Sequence, residues 1–251
     1  MDKINRIRLP IDIMMTLISI VLMGGNYLFP ADIVHEILGV ALFVLWGVHI
    51  ALNRRWYSAL FRGKYNPYRI MQTVINCCIL ICTILLMISG IILSNHLFTF
   101  LNIQGGLGFA RIAHLLASHW YYLFMSLHIG MHAGMIANKI RLSRTQQECH
   151  FRALTRESSG KAKAIKAIAA KVLLVLVCVY GIYAFIVRGV GKYLFLRQQF
   201  FFLDLEKGYL LFALDYLSIL VLIATASHWL GKALRAWSSG RKESCRHYIS
   251  S

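Results

Sequence analysis

The sequence predicts an all-α polytopic membrane protein with six membrane-spanning helices. Of its 251 residues, 58% are hydrophobic and only three are proline, and the mean hydropathy is +0.61. This composition lies outside the range of soluble domains. The apolar residues also gather into six stretches. Each is near the ~20 residues that a helix needs to cross the hydrocarbon core of a bilayer.

The six spans follow one another with basic inner connections and outer connections that carry fewer basic residues or mix them with acids. We place them at residues 10–29, 33–53, 70–95, 112–137, 171–188 and 209–231. The first has no small-residue cleavage site, which favours an uncleaved helix over a signal peptide. The chain thus divides into four units, which are a four-helix core at 1–137, a basic cytoplasmic loop at 138–170, a two-helix hairpin at 171–231 and a basic tail at 232–251.

The distribution of charge predicts the orientation. The chain has 27 Lys and Arg against 10 Asp and Glu. The basic residues cluster before span one, after span two, in the loop at 138–170 and in the tail. All four tracts lie on one side of a six-span protein, so we expect both termini to be cytoplasmic and the membrane to be a prokaryotic cytoplasmic membrane. No tract interleaves aromatic and basic residues in a recognisable module, so no nucleic-acid partner is expected.

Two pairs of histidines indicate a cofactor site. His35 and His49 in span two are fourteen residues apart, and so are His114 and His128 in span four. Fourteen helical residues advance the chain by ~21 Å and return it to within ~40° of the starting face. Both spans run from outside to inside, which places His35 level with His114 and His49 level with His128. Since imidazole is an axial ligand of haem iron, the pattern predicts two b-type haems held between the two helices, each by two histidines.

Two further histidines of span four have different predicted roles. His119 is ~140° around the helix from His114, so we expect it to face another helix or the outer interface. His132 lies one turn after His128. It can be an alternative inner ligand, a hydrogen-bond donor behind the ligands or part of a quinone pocket. A weak internal repeat aligns His132 with Asn53, which favours the second or third role.

Cations near the histidines can bind the haem propionates. Arg111, one turn before His114, suits an outer haem, whereas Arg54 and Arg55, which follow His49, suit an inner one. Charge that only orients the protein in the membrane explains Arg54 and Arg55 equally well.

Three carboxylates lie in or beside the spans, namely Asp12, Glu36 and Asp215. Each can relay a proton, as quinone chemistry requires. Helix capping or interfacial solvation accounts for Asp12 and Glu36 equally well. The six cysteines form no CxxC or CxxCH motif, so no disulfide framework, zinc site or covalently attached haem is expected.

Several of these features together resemble the flavinylation-associated cytochrome family. They are Asp12, the run from HEILG to HIALNRRW at 35–56, SGI at 89–91, RIAHLLASHWYYLFMSLHIGMH at 111–132 and the segment at 180–219. The resemblance implies a membrane cytochrome b that passes electrons between the quinone pool or an inner donor and an extracytoplasmic, flavin-carrying partner. It supports His35, His49, His114 and His128 as ligands and includes His132 in the pattern. At residue 119 the family pattern implies an aromatic side chain, so His119 departs from it.

The function expected from the sequence is that of an electron-transfer subunit rather than of a complete enzyme. No Walker motif or flavin-binding fold is visible, so a flavin would be carried by a partner protein. Two alternatives are a quinone- or metal-reductase subunit with a single haem, and a haem-free membrane scaffold or transporter whose histidines and Asp215 line a polar path. A transporter would more often show broken helices than matched histidine levels.

Overall fold

The computed structural model describes residues 3–25, 32–62, 65–152, 160–200 and 208–249, and these ranges contain helices and no strand. Eight α-helices follow in order along them, together with a short 3₁₀ turn at Thr99–Leu101. They are α1 (Lys3–Leu22), α2 (Ile33–Leu52), α3 (Arg54–Ala59), α4 (Pro67–Leu93), α5 (Leu107–Arg152), α6 (Gly160–Val187), α7 (Val190–Leu194) and α8 (Gly208–Ile249). The predicted all-α class is confirmed.

Four helical segments of the described chain are long and apolar enough to cross a membrane. They are Ile33–Leu52, Pro67–Leu93, Ile165–Val187 and Gly208–Ser238. Exposed apolar side chains on α4 and α6, such as Ile81 and Val179, suit contact with lipid. The protein is therefore a helical membrane protein with four such segments.

Predicted spans one and four are helical but do not belong to this set of four. The fourth lies in α5, where several histidines and polar aromatic residues lower the mean hydropathy. The first lies in α1, which carries Arg8 and Asp12. The predicted end of span one, at residues 26–29, lies outside the described residues.

The helices continue beyond the predicted spans into the basic segments. α5 extends to Arg152 and α6 begins at Gly160, so much of the predicted loop at 138–170 is helical. Residues 138–152 contain no proline and no glycine, and nothing in their sequence interrupts a helix. In both helices the boundary between apolar and basic side chains therefore falls inside the helix and not at its end.

The packed core lies around α5, which contacts α4 on one side and α8 on the other. Tyr122 of α5 and Tyr216 of α8 are almost completely buried, and the Tyr122 hydroxyl donates to the Tyr216 carbonyl. A Cβ atom added at Gly130 would lie 2.1 Å from the Ala224 carbonyl oxygen. Only glycine allows the two backbones to approach this closely, as is common for small residues between membrane helices.

The helix α2 is packed much less tightly than α5. Its backbone contacts α1 and α4, and none of its twenty residues is buried. A Cβ atom at Gly39 or Gly47 would meet no atom within 4 Å. The helix therefore stands away from the core, and its histidines reach towards α5 across this space.

A buried ion pair joins α8 to the end of α6. The Arg188 Nε donates to Asp215 Oδ2 at 2.7 Å, and the Tyr180 hydroxyl donates to Asp215 Oδ1 at 2.5 Å. The Asp215 side chain is only 8% exposed. Asp215 thus joins two helices, and its two side-chain partners lie on the α6 side rather than among the paired histidines.

Candidate functional site

The four histidines predicted as ligands meet in two pairs between α2 and α5. The His35 and His114 rings have their centroids 6.2 Å apart and are tilted by 60°. The His49 and His128 centroids are 6.4 Å apart, with the rings at 73°. The pairs form two levels, which we call the outer level (His35 and His114) and the inner level (His49 and His128).

Both separations suit one metal ion held between two imidazoles. A metal-bound imidazole nitrogen lies about 2.0–2.1 Å from the ion. Ring bonds of about 1.33 Å place that nitrogen about 1.1 Å from the ring centre. Two rings on opposite sides of one ion therefore have their centroids about 6.3 Å apart, which is the separation found at each level.

Hydrogen bonds at Nδ1 orient three of the four histidines, and in one of them, His49, Nε2 also accepts a hydrogen bond from Asn53 Nδ2 at 3.4 Å. His49 Nδ1 donates to Asp12 Oδ1, and His128 Nδ1 donates to Asn76 Oδ1, both at 2.8 Å. His114 Nδ1 lies 3.0 Å from the Ser89 hydroxyl, whose own hydrogen points to the Leu85 carbonyl at 2.6 Å. The Ser89 oxygen is then the acceptor.

These bonds fix the protonation of the rings. With the hydrogen on Nδ1, each of the three rings carries its lone pair on Nε2. A metal-ligating histidine usually donates its second ring nitrogen in this way, which orients the ring and makes the ligand more basic.

The fourth histidine, His35, is held differently. Its ring approaches the backbone of Gly25, but its buried Nδ1 makes no hydrogen bond of acceptable geometry within the described residues. The partner of His35 at this level, His114, lies beside Gly90. A Cβ atom added at Gly90 would lie 3.7 Å from His114 Cε1, so this glycine leaves room beside the His114 ring. The SGI sequence at 89–91 thus provides a hydrogen-bond acceptor and then a small residue at the outer level.

The inner level carries additional polar side chains. The His132 ring centroid is 4.6 Å from that of His128, and the rings are tilted by 56°. This separation is shorter than the ~6.3 Å that a shared metal ion requires, so His132 and His128 are not the two ligands of one ion. Asn53 Nδ2 donates to the His49 carbonyl at 2.8 Å and lies 3.4 Å from His49 Nε2. Asn53 and His132, which the internal repeat aligns, both lie one turn after the inner histidine of their own helix.

The arginines proposed to bind propionates lie at the ends of the site. Arg54 and Arg55 are exposed at the beginning of α3, and Arg111 is exposed near the beginning of α5. A further cation, which the sequence analysis did not assign to the site, also lies at the inner end. The Arg8 Nη2 donates to the Leu52 carbonyl at the end of α2, at 2.5 Å. Its position one turn before Asp12 on the same helix could have indicated this.

Glu36 anchors the beginning of α2 to the turn after α4. Its carboxylate accepts from the Ser94 hydroxyl at 2.6 Å and from the backbone N–H groups of Asn95 at 2.8 Å and Leu97 at 2.9 Å. These bonds hold the helix that carries His35 against α4. Of the two roles considered, the geometry favours a structural one for Glu36, whereas Asp12 joins the inner level directly.

Two further histidines, His119 and His96, have different surroundings. His119 is 1% exposed and stacks on Tyr193 of α7 with a centroid separation of 4.4 Å, so it faces another helix, in agreement with its predicted angle. His96 is exposed in the connection between α4 and α5. Within the described residues no group of three or more His, Cys, Asp or Glu can hold a metal ion by itself.

In comparisons with known proteins, no family model, curated protein or solved structure matches the chain. Two imidazoles are too few to retain a bare ion, but they are the usual axial pair for an iron whose other ligands belong to a porphyrin. The separations, the three oriented rings and the loosely packed α2 all fit this cofactor, with His35, His114, His49 and His128 as the residues that would bind it.

Proposed function

We propose that this protein is a six-span membrane cytochrome b with two non-covalent haems b, one at the outer level and one at the inner level. The matched separation of the paired rings at both levels, 6.2 and 6.4 Å, carries the proposal. The hydrogen bonds at Nδ1 of His49, His114 and His128 support it, because each places the lone pair of the neutral ring on Nε2, the nitrogen that would bind the iron. Both termini lie in the cytoplasm.

The chain's own residues hold, orient and insulate the redox centres. Each haem would be held between the two histidines of its level. Hydrogen bonds to Asp12, Asn76 and Ser89 orient three of the four rings. When bound, haem supplies a reversible one-electron change at its iron. The two levels are separated by fourteen residues, or ~21 Å along a helix, so together they span much of the ~30 Å hydrocarbon core.

The protein acts as an electron-transfer subunit. Electrons enter from the quinone pool or another inner donor and leave to an extracytoplasmic, flavin-carrying partner. The resemblance of 35–56 and 111–132 to the flavinylation-associated cytochromes supports this choice of partner. Arg54 and Arg55, five and six residues after His49, and Arg8, which reaches the end of α2, are the inner cations that can bind propionates, and Arg111, three residues before His114, is the outer one.

The first test is the haem-to-protein ratio of the purified full-length protein, with its absorption spectrum in the oxidised and reduced states. We expect two haems per chain and the spectrum of six-coordinate b-type haem. The variant His96→Ala is the control, since His96 is exposed in a connection, and we expect it to retain both haems. A colourless protein, or a ratio of one, would contradict the proposal.

Replacing His132 by alanine separates a ligand from a flanking residue. We expect the variant to keep two haems, because its ring is too close to His128 to share a metal ion with it. Its reduction by a quinol should slow by about tenfold, the cost of one lost hydrogen bond to a substrate. The haem ratio and the stopped-flow reduction rate measure the two effects. Loss of the inner haem alone would instead make His132 a ligand.

A further inference from the structure

The two levels differ in what their histidines donate to. At the inner level the acceptors are a carboxylate, Asp12, and an amide oxygen, Asn76, each at 2.8 Å. At the outer level His114 faces the neutral hydroxyl of Ser89 at 3.0 Å, and His35 Nδ1 has no acceptor of acceptable geometry in the described chain. Within the described residues, a carboxylate bonds to one of these rings at the inner level only.

A carboxylate acceptor strengthens the ligand in front of it. It draws the Nδ1 hydrogen towards itself, so the imidazole becomes more basic and donates more strongly to a metal ion at Nε2. Its negative charge also favours the more positive oxidation state of a nearby iron. Both effects lower the reduction potential, and both act on the inner level.

Other charged side chains near the histidines also affect the reduction potentials of the two levels. Glu36 adjoins His35, but its carboxylate is taken up by three donors from residues 94–97 and does not bond to the ring. Arg8 lies one turn before Asp12 and partly offsets its charge. The Asp12 side chain is 48% exposed, so solvent screening reduces its effect further.

We propose that Asp12 is a positioning residue that, through His49, sets the reduction potential of the inner haem below that of the outer haem. This inference rests on the proposed function. With both haems bound, this order of potentials would carry one electron downhill from the inner level to the outer level. The Nδ1 hydrogen stays on His49 throughout. A quinol or another inner reductant replaces the electron, and the flavin of the outer partner accepts it.

The test is a redox titration of the purified full-length protein, followed by haem absorbance. The wild type should show two one-electron steps. In Asp12→Asn the side chain keeps its shape and can still accept from His49 but has no charge. The equilibrium constant for reduction at the lower step should rise by about threefold to tenfold, and the upper step should stay in place. For a one-electron couple this is an upward shift of about 28 to 59 mV.

Three further variants make the test specific. Asp12→Glu retains a carboxylate, so its lower reduction step should lie close to that of the wild type. Ser89→Ala removes the acceptor at the outer level and should move only the upper step. Asn76→Asp adds a carboxylate behind His128 and should move the lower step further down, which tests the same electrostatic effect even where Asp12→Asn fails to retain its haem.

The inference is overturned if Asp12→Asn with both haems bound leaves the two steps in place, shifts both equally or behaves as Asp12→Glu does. It is also overturned if Asn76→Asp leaves the lower step unchanged. A protein that binds no haem would overturn the proposed function instead, so the two failures are distinguishable.

Discussion

His114→Ala is expected to leave the protein with one haem, whereas His119→Ala, five residues along the same helix, is expected to leave it with two. His114 pairs with His35 at 6.2 Å, so under the proposed function its loss would remove one of the two residues that hold the outer haem. His119 is the more buried of the two, at 1% exposure, and stacks on Tyr193 instead. A merely structural role for both histidines would make the His119 change the more damaging one.

The haem-to-protein ratio and the reduced-minus-oxidised spectrum measure this difference. The inner-level counterpart, His128→Ala, should also reduce the ratio from two to one, and it should spare the outer haem. Haem loss in His119→Ala together with full haem content in His114→Ala would show that the pairing is wrong.

Asp215→Ala is expected to destabilise the protein by about 3–5 kcal/mol, because it leaves the Arg188 guanidinium buried without its carboxylate. Arg188 and Asp215 are 12% and 8% exposed, and Tyr180 would lose its acceptor as well. The midpoint of thermal unfolding in detergent, followed by circular dichroism, measures the loss. The variant should bind both haems below that midpoint, since Asp215 lies on the α6–α8 contact.

A double variant tests the cause of this destabilisation. Asp215→Leu combined with Arg188→Met replaces the pair by apolar side chains of similar size, and it should recover most of the stability. An unchanged midpoint in Asp215→Ala, or a double variant less stable than the single one, would contradict the assignment of a buried, mutually compensating pair.

The pairing of the histidines was predictable from sequence because it depends on helix periodicity. A spacing of fourteen residues on each of two apolar segments fixes two levels on each helix, and the topology then matches the levels. The structure brings together His35 with His114 and His49 with His128. The same periodicity also turned His119 towards another helix.

The groups behind the ligands could not be predicted in this way. Asp12 comes from α1, whereas Asn76 and Ser89 come from α4. No sequence spacing relates residues on different helices, since how the helices pack decides which side chains meet. For the same reason the sequence left Glu36 open between proton relay, helix capping and interfacial solvation, whereas the three bonds it receives from residues 94–97 give it an anchoring role.

The close contact between Gly130 and Ala224 bears on how the protein is made. Gly130 lies between His128 and His132 on α5, and its backbone rests on α8, the last helix of the chain. The ribosome therefore delivers His128 and His132 to the membrane before it has synthesised α8, the helix that this part of α5 packs against. Within the proposed function, we expect cofactor loading at the inner level to follow complete translation and insertion of α8, which gives the C-terminal hairpin a part in biogenesis.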